Sequence, residues 1–297
     1  MLPWGGHWQG ARLSPGARVW VLGATGQVGQ ACLHVLTRWF DVRGFTHAEW
    51  DITLPESVQR WLLGTAPRER PRCIINCAAL TNVDQCEDMP DRAMVVNAHG
   101  PGLLAHACER MGLLLVHLST DYVFDGTQGT PYEEADPPRP LSAYGRSKLD
   151  GERRVAERMP SGQFLILRTS WVFSSYRPNF VTWVLERARA GLPVRAVTDQ
   201  VSAPTWADDL AEAIGHLLLN GVRGWVHFRN EGICSRYEQA EWILRTQGLP
   251  TSLLEARTMA EMGWRARRPA YSVLSTARYQ ARTGLTPRDW RTILPRG

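Results

Sequence analysis

The chain has 297 residues, with 44% hydrophobic and 21% charged side chains, the balance of a globular enzyme with one large or two closely joined domains. No apolar run approaches the roughly 20 residues needed to span a bilayer, and Met1 to Gly16 lacks the basic cap and apolar stretch of a signal peptide, so a cytoplasmic location is expected. The net charge of +5 comes from Arg scattered along the whole chain rather than from a basic tail or face, which argues against nucleic acid as a partner but suits an anionic small molecule.

Residues 1–17, rich in Gly, Pro and Trp, read as an irregular extension. Arg18 to Leu22 (RVWVL) then predicts a first strand, Gln27 to Trp39 an amphipathic helix, and Val42 to Phe45 a second strand. Thr53, followed by Pro55 and Glu56, predicts the N-cap of another helix. Cys73 to Cys77 (CIINC) and Leu113 to Leu118 (LLLVHL) are further strands, with a helical segment from about Asp91 to Met111 between them. Strands and helices alternating at this spacing predict an α/β fold, a doubly wound parallel sheet covered on both faces. Phe164 to Arg168 continues it. Beyond, helices near 178–190, 206–219, 236–246 and 287–294 suggest a smaller lobe. The expected division is a dinucleotide-binding domain over 18–170, rejoined by 196–228, and a substrate-binding lobe from 171–195 and 229–297.

Six cysteines stand at positions 32, 73, 77, 86, 108 and 234. Cys32, Cys73 and Cys77 fall in segments of buried type, where Cys acts as a small hydrophobe, and no Cys or His pairs have zinc spacing, so no metal site is expected.

Gly23, Gly26 and Gly29 follow the first strand and open a helix. Glycines there permit a tight turn and a close approach of the backbone to a pyrophosphate, which the helix N-terminus attracts. The second strand ends without a carboxylate to hold an adenosine ribose. Arg43 and His47 stand close by to meet a 2′-phosphate, which favours NADPH over NADH, although Glu49 and Asp51 follow soon after. Tyr144 and Lys148 (Y-G-R-S-K) are one helical turn apart, a rise of roughly 6 Å, and so share a face. A Tyr with a pKa near 10 shuttles protons poorly at neutral pH, and an ammonium beside it stabilises its phenolate. Thr120, at the end of the fourth strand, lies at the sheet edge where doubly wound folds bind ligands, and its hydroxyl suits a carbonyl under reduction.

Beyond these features the chain resembles the dTDP-4-dehydrorhamnose reductases, extended short-chain dehydrogenases, from about Val19 to Trp290. The resemblance rests on GATGQVGQ at 23–30, WDIT at 50–53, INCAALTNVD at 75–84, VNAHGP at 96–101, HLSTDYVFDG at 117–126, YGRSKLDGE at 144–152, ILRTSWVF at 166–173 and DQVSAPT at 199–205. It implies NAD(P)H-dependent reduction of the 4-keto group of a dTDP-linked 6-deoxyhexose to dTDP-L-rhamnose. Gly26, Gln27 and Val28 would meet the cofactor pyrophosphate, Asp51 and Ile52 the adenine, and Ala78, Ala79 and Leu80 the cofactor's path. Tyr144 would donate the proton, with Lys148 supporting it and holding the nicotinamide ribose and Thr120 holding the carbonyl. Asp121 and Trp171 would touch the sugar, and Asn179 and Phe180 would border its pocket.

The chain departs from the family pattern at Ser202, where Gly is usual, at Arg236, where the motif S-W-Y carries Trp, at Tyr271 in place of Asn, and at Leu80. These departures leave the sugar and nucleotide open. Some members hold Mg2+ at a dimer contact, for which no carboxylate ligands stand out in this sequence. A monomer or homodimer is expected. The competing readings are a non-catalytic nucleotide-binding subunit on the same fold, a reductase of another nucleotide-linked keto-sugar, and an epimerase or dehydratase. The last would usually carry an acidic pair after Thr120, where only Asp121 stands, followed by Tyr122.

Overall fold

The computed structural model describes residues 10–293. Residues 1–9 of the expected extension and the last residue of the helix expected at 287–294 lie outside them. The chain opens with β1 (Arg18–Leu22), α1 (Gln27–Val35), β2 (Asp41–Phe45), α2 (Pro55–Gly64), β3 (Cys73–Asn76) and α3 (Val83–Asp88). It continues with α4 (Pro90–Met94), a π-helical turn at Val95–His99, α5 (Gly100–Met111), β4 (Leu114–Thr120), α6 (Ala143–Arg158) and β5 (Phe164–Thr169). The later part holds β6 (Val172–Phe173), α7 (Phe180–Arg189), β7 (Val194–Val197), β8 (Val201–Ser202), β9 (Thr205–Trp206) and α8 (Ala207–Leu219). Then come β10 (Gly224–His227), β11 (Cys234–Ser235), α9 (Arg236–Thr246), β12 (Leu254–Arg257) and α10 (Ala277–Thr283).

Six strands form one parallel sheet in the order β10-β5-β4-β3-β1-β2. The pleat sorts its side chains into two cores. Val19, Val21, Cys73, Ile75, Val116 and Leu167 pack beneath α1 and α8. Their neighbours Trp20, Leu22, Ile74, Leu115 and Ile166 pack on the other face, against Leu62 of α2, Leu104 of α5 and Val155 of α6. Both faces are covered, which is why these strands read as nearly continuous apolar runs. The order reverses between β1 and β3, and that reversal opens a crevice at the carboxyl ends of the strands.

A third core lies outside the sheet. There Trp171, Phe173, Val184, Val194, Ile243 and Trp290 pack together, with β7 paired to β12. Residues 10–17 carry no helix or strand and are tied down by backbone hydrogen bonds from Gly10 to Gly221 and from Leu13 to Leu218.

Two expected elements differ. Over its described residues, 287–293, the last expected helix is absent, and a 3-10 turn at Trp290–Thr292 capped by Asp289 stands there instead. Its apolar spacing reflects Trp290 plugging the third core, not a helical face. Thr53 is not an N-cap. Pro55 holds the preceding Leu54 in an extended conformation, and Leu54 becomes the residue that starts α2. The Thr53 hydroxyl donates instead to Asp51 Oδ1 at 2.7 Å.

Candidate active site

The glycine turn stands at the crevice. Gly23 has φ +73°, and a Cβ there would lie 2.8 Å from the Ala78 nitrogen at the end of β3. A Cβ on Gly29 would lie 2.2 Å from the Gly23 carbonyl oxygen. Only bare backbone fits, which leaves the first turn of α1 accessible to a phosphate group. Ser174 donates to Gln27 Oε1 at 2.9 Å, and Arg177 donates to the Thr25 carbonyl at 3.1 Å, so the segment after β6 is laced to this turn.

A cavity of about 500 Å³ opens from the turn. Of the residues singled out in the sequence, Gly26, Gln27, Val28, Gly29, Ala79, Thr120, Asp121, Tyr144, Lys148 and Trp171 line it. Gly23, Ala78 and Leu80 stand outside its lining. Asp51 and Ile52 do so too: Asp51 accepts from the Thr53 amide, and Ile52 is buried where a side chain on Gly100 would collide with it. Arg43 lies over the rings of Phe45 and Trp61, and His47 is exposed. Asn179 and Phe180 line a second cavity of about 450 Å³. The Asn179 side chain also caps α7, accepting from Val181 and Thr182.

Tyr144 and Lys148 sit on the first turns of α6, which Ser142 caps by accepting from the Gly145 amide. Burial pushes the Tyr144 phenol above its ordinary range, opposed by a hydrogen bond with Thr120, so the phenol is protonated. Burial also lowers the Lys148 ammonium to about 8, and it remains charged at neutral pH. Its Nζ donates to the Leu118 carbonyl at 2.5 Å, near the carboxyl end of β4. Thr120 Oγ1 donates to Asp121 Oδ1 at 3.1 Å and accepts from the Tyr122 amide.

Asp121 is shut off from solvent, which raises its carboxyl to about 6 although Ser272, Thr120 and Ser202 all donate to it. Ser202, one of the departures from the family pattern, is thus one of the hydroxyls that hold Asp121. Tyr271 pairs its backbone with Val201 and does not line either cavity. Trp171 has φ +43°, the one non-glycine residue with positive φ among the described residues. Such backbone costs of order 1–3 kcal/mol and persists where the surroundings over-determine it. Its indole nitrogen is buried with no hydrogen-bond partner among the described residues, and so is the Thr169 hydroxyl; both residues line the first cavity.

Sequence reasoning missed Arg177, Ser174 and most of the second cavity. Trp183, Arg195, Met262, Trp264 and Arg268 reach that cavity from segments far apart in the chain. Arg268 could have been found from the R-P dipeptide beside Tyr271.

A family model described as the RmlD substrate binding domain matches residues 17–296. The dTDP-4-dehydrorhamnose reductase of Mycobacterium tuberculosis is 39% identical over 285 residues, covering 93% of this chain and 91% of that protein. The chain belongs to the dTDP-4-dehydrorhamnose reductase family. A Streptomyces antibioticus protein named "Probable dTDP-4,6-dihydroxy-2-methyloxan-3-one 4-ketoreductase" is also 39% identical, over 280 residues and 92% of each chain. The crystal structure of a family member, the Bacillus anthracis dTDP-4-dehydrorhamnose reductase in complex with NADP, superposes with a TM-score of 0.88. It is 33% identical and covers 93% of this chain and 96% of that one.

Proposed function

We propose that this chain uses NADPH to reduce the 4-keto group of dTDP-4-dehydro-6-deoxy-L-mannose, giving dTDP-L-rhamnose, with Tyr144 as the proton donor. The observation that carries this reading is the grouping of Thr120, Tyr144 and Lys148 in one cavity with the bare glycine turn. The cradle fits a dinucleotide because any Cβ on Gly29 would collide with backbone. NADPH, when bound, supplies the hydride that reduces the ketone carbon. Gly26, Gln27 and Val28 would hold its pyrophosphate, and Lys148 its ribose.

The rest of the chemistry belongs to the protein. The Thr120 hydroxyl turns from Asp121 to the ketone oxygen and fixes it beside Tyr144. The phenol, kept protonated by burial, gives its proton to that oxygen as negative charge develops. The Lys148 ammonium then stabilises the phenolate that is left. The sugar lies against Trp171, whose indole N–H has no partner among the described residues and would donate to a hydroxyl. The nucleotide occupies the second cavity, between Phe180, Trp183 and Trp264. The relatives' names support the reductase reading, and the NADP of the Bacillus anthracis structure supports the cofactor.

A second reading, reduction of a different dTDP-linked keto-sugar, has the Streptomyces antibioticus relative in its favour at equal identity. The experiment that separates them offers NADPH with dTDP-4-dehydro-L-rhamnose, or with dTDP-4-dehydro-6-deoxy-D-glucose, and identifies products by NMR. Formation of dTDP-L-rhamnose from the first at the higher kcat/KM supports the first reading. Preference for the second substrate replaces it. No turnover of either by protein that binds NADPH points to a non-catalytic subunit.

A further inference from the structure

The two cavities adjoin, since Val83 and Tyr122 line both. Three guanidinium groups reach the second one, and two are already neutralised. Arg195 pairs with Glu255 at 3.2 Å, and Arg268 pairs with Asp84 at 2.8 Å while lying 3.9 Å over Trp264. Arg236 has no ion pair among the described residues. Its Nη1 donates to the amide oxygen of Gln239 at 2.9 Å. The nearby carboxylates are committed elsewhere: Glu238 accepts from the Ser235 amide at 2.6 Å, and Asp121 is held by Ser272 and Ser202.

The guanidinium of Arg236 is instead packed against rings, 3.6 Å from the centroid of Trp171 and 4.6 Å from that of Phe180. Trp171 lines the first cavity and Phe180 the second, so the cation stands at their seam. Burial lowers it to about 10, which leaves it charged at neutral pH. Stacking compensates part of its lost hydration, but the donor edges of a stacked guanidinium remain available in the plane. Asp121 acts on this cation only through space, and a desolvated cation with no carboxylate in contact, standing in a ligand cavity, is a site for an anion brought by the ligand.

We propose that Arg236 binds the diphosphate of the nucleotide-linked substrate at the seam between the two cavities, and so selects diphosphate-bearing substrates. This rests on the reading of the second cavity as the nucleotide site. A sugar beside Tyr144 and a base between Phe180 and Trp264 would place their diphosphate linker beside the one unpaired cation among the three. The family motif carries Trp at this position, so the device belongs to this chain. Arg236 touches substrate but not the reacting atoms, and its effect falls on binding rather than on chemistry.

The test is calorimetric titration of the full chain, loaded with NADPH, with dTDP and with thymidine, in wild type, Arg236→Gln, Arg236→Lys and Arg236→Trp. Removing a charged hydrogen-bond donor from a phosphate is expected to weaken dTDP binding about 10- to 100-fold, with thymidine affinity unchanged. Arg236→Lys should recover part of the loss. KM for the nucleotide sugar should rise in step while kcat changes by less than about threefold. Wild-type NADPH affinity in each variant shows that the fold is kept. If Arg236→Gln and Arg236→Trp bind dTDP as wild type does, or lose dTDP and thymidine affinity alike, Arg236 does not read the diphosphate. Wild type that binds NADPH but no dTDP would overturn the nucleotide reading of the cavity, and this proposal with it.

Discussion

The guanidinium of Arg168 donates to both carboxylate oxygens of Glu152, at 2.9 and 2.7 Å, and neither side chain is reached by solvent. Glu152 stands one helical turn beyond Lys148 on α6, and Arg168 lies on β5, three residues before Trp171. The same carboxylate accepts from Ser119 at 2.5 Å and from the indole of Trp225 at 3.1 Å. The helix that carries Tyr144 is therefore pinned to three adjacent strands through one fully bonded carboxylate.

Glu152→Gln leaves the Arg168 charge buried without its counter-charge. Breaking such a pair by removing one partner costs about 3–5 kcal/mol. Urea unfolding followed by far-UV circular dichroism should show a loss of that order. A loss below about 1 kcal/mol, the worth of an exposed pair, would mean that the pair does not fix the helix.

Asp121 gives a pH signature. Its carboxyl is raised by burial to about 6 from 3.8, so the native state holds the proton more tightly than the unfolded chain does. The stability from this group is complete below the unfolded pKa and is lost as the pH rises through about 6. Measured against Asp121→Asn, wild type should lose about 2 kcal/mol of unfolding free energy between pH 4 and pH 7. A pH-independent difference would contradict this assignment.

Ser202→Gly restores the residue common in the family and removes one donor to Asp121. With less support for the charged form, the Asp121 carboxyl should titrate higher than in wild type. Carboxyl 13C shifts followed against pH measure this. An unchanged or lower midpoint would show that the Ser202 hydroxyl does not act on Asp121.

Gly29→Ala tests the cradle. The added methyl meets the Gly23 carbonyl oxygen and the Ala24 Cα, backbone atoms that have to move. Overpacking of this kind costs about 1–3 kcal/mol, and the displaced turn should weaken NADPH binding more than about tenfold. Fluorescence titration with NADPH reads it, and wild-type affinity would place the pyrophosphate elsewhere.

The strands of the sheet were legible because both faces are buried: Val19 and Val21 serve one core and Trp20 and Leu22 the other, so RVWVL is apolar throughout. Tyr144 and Lys148 were legible because a four-residue spacing on one helix is a local fact. Local pattern misled where tertiary structure took over. Trp290 and Ile293 look like a helical face, yet they serve the third core from a single turn. Thr53 looks like a cap, but Asp51 takes its hydroxyl. The π-turn was invisible, although its Asn97 exchanges two hydrogen bonds with the Leu80 backbone and donates a third to Ser147 on α6. The second cavity was the least legible, because Val83, Tyr122, Phe180, Arg236 and Arg268 meet only once the chain has folded.

The most direct test of the account is turnover of dTDP-4-dehydro-L-rhamnose by wild type and Tyr144→Phe, followed by the loss of NADPH absorbance. The account predicts that wild type turns over, while the variant binds NADPH normally and loses about 10²- to 10⁴-fold in kcat, the usual worth of a positioned proton donor. Equal kcat in the two proteins would remove Tyr144 from the chemistry and contradict the account.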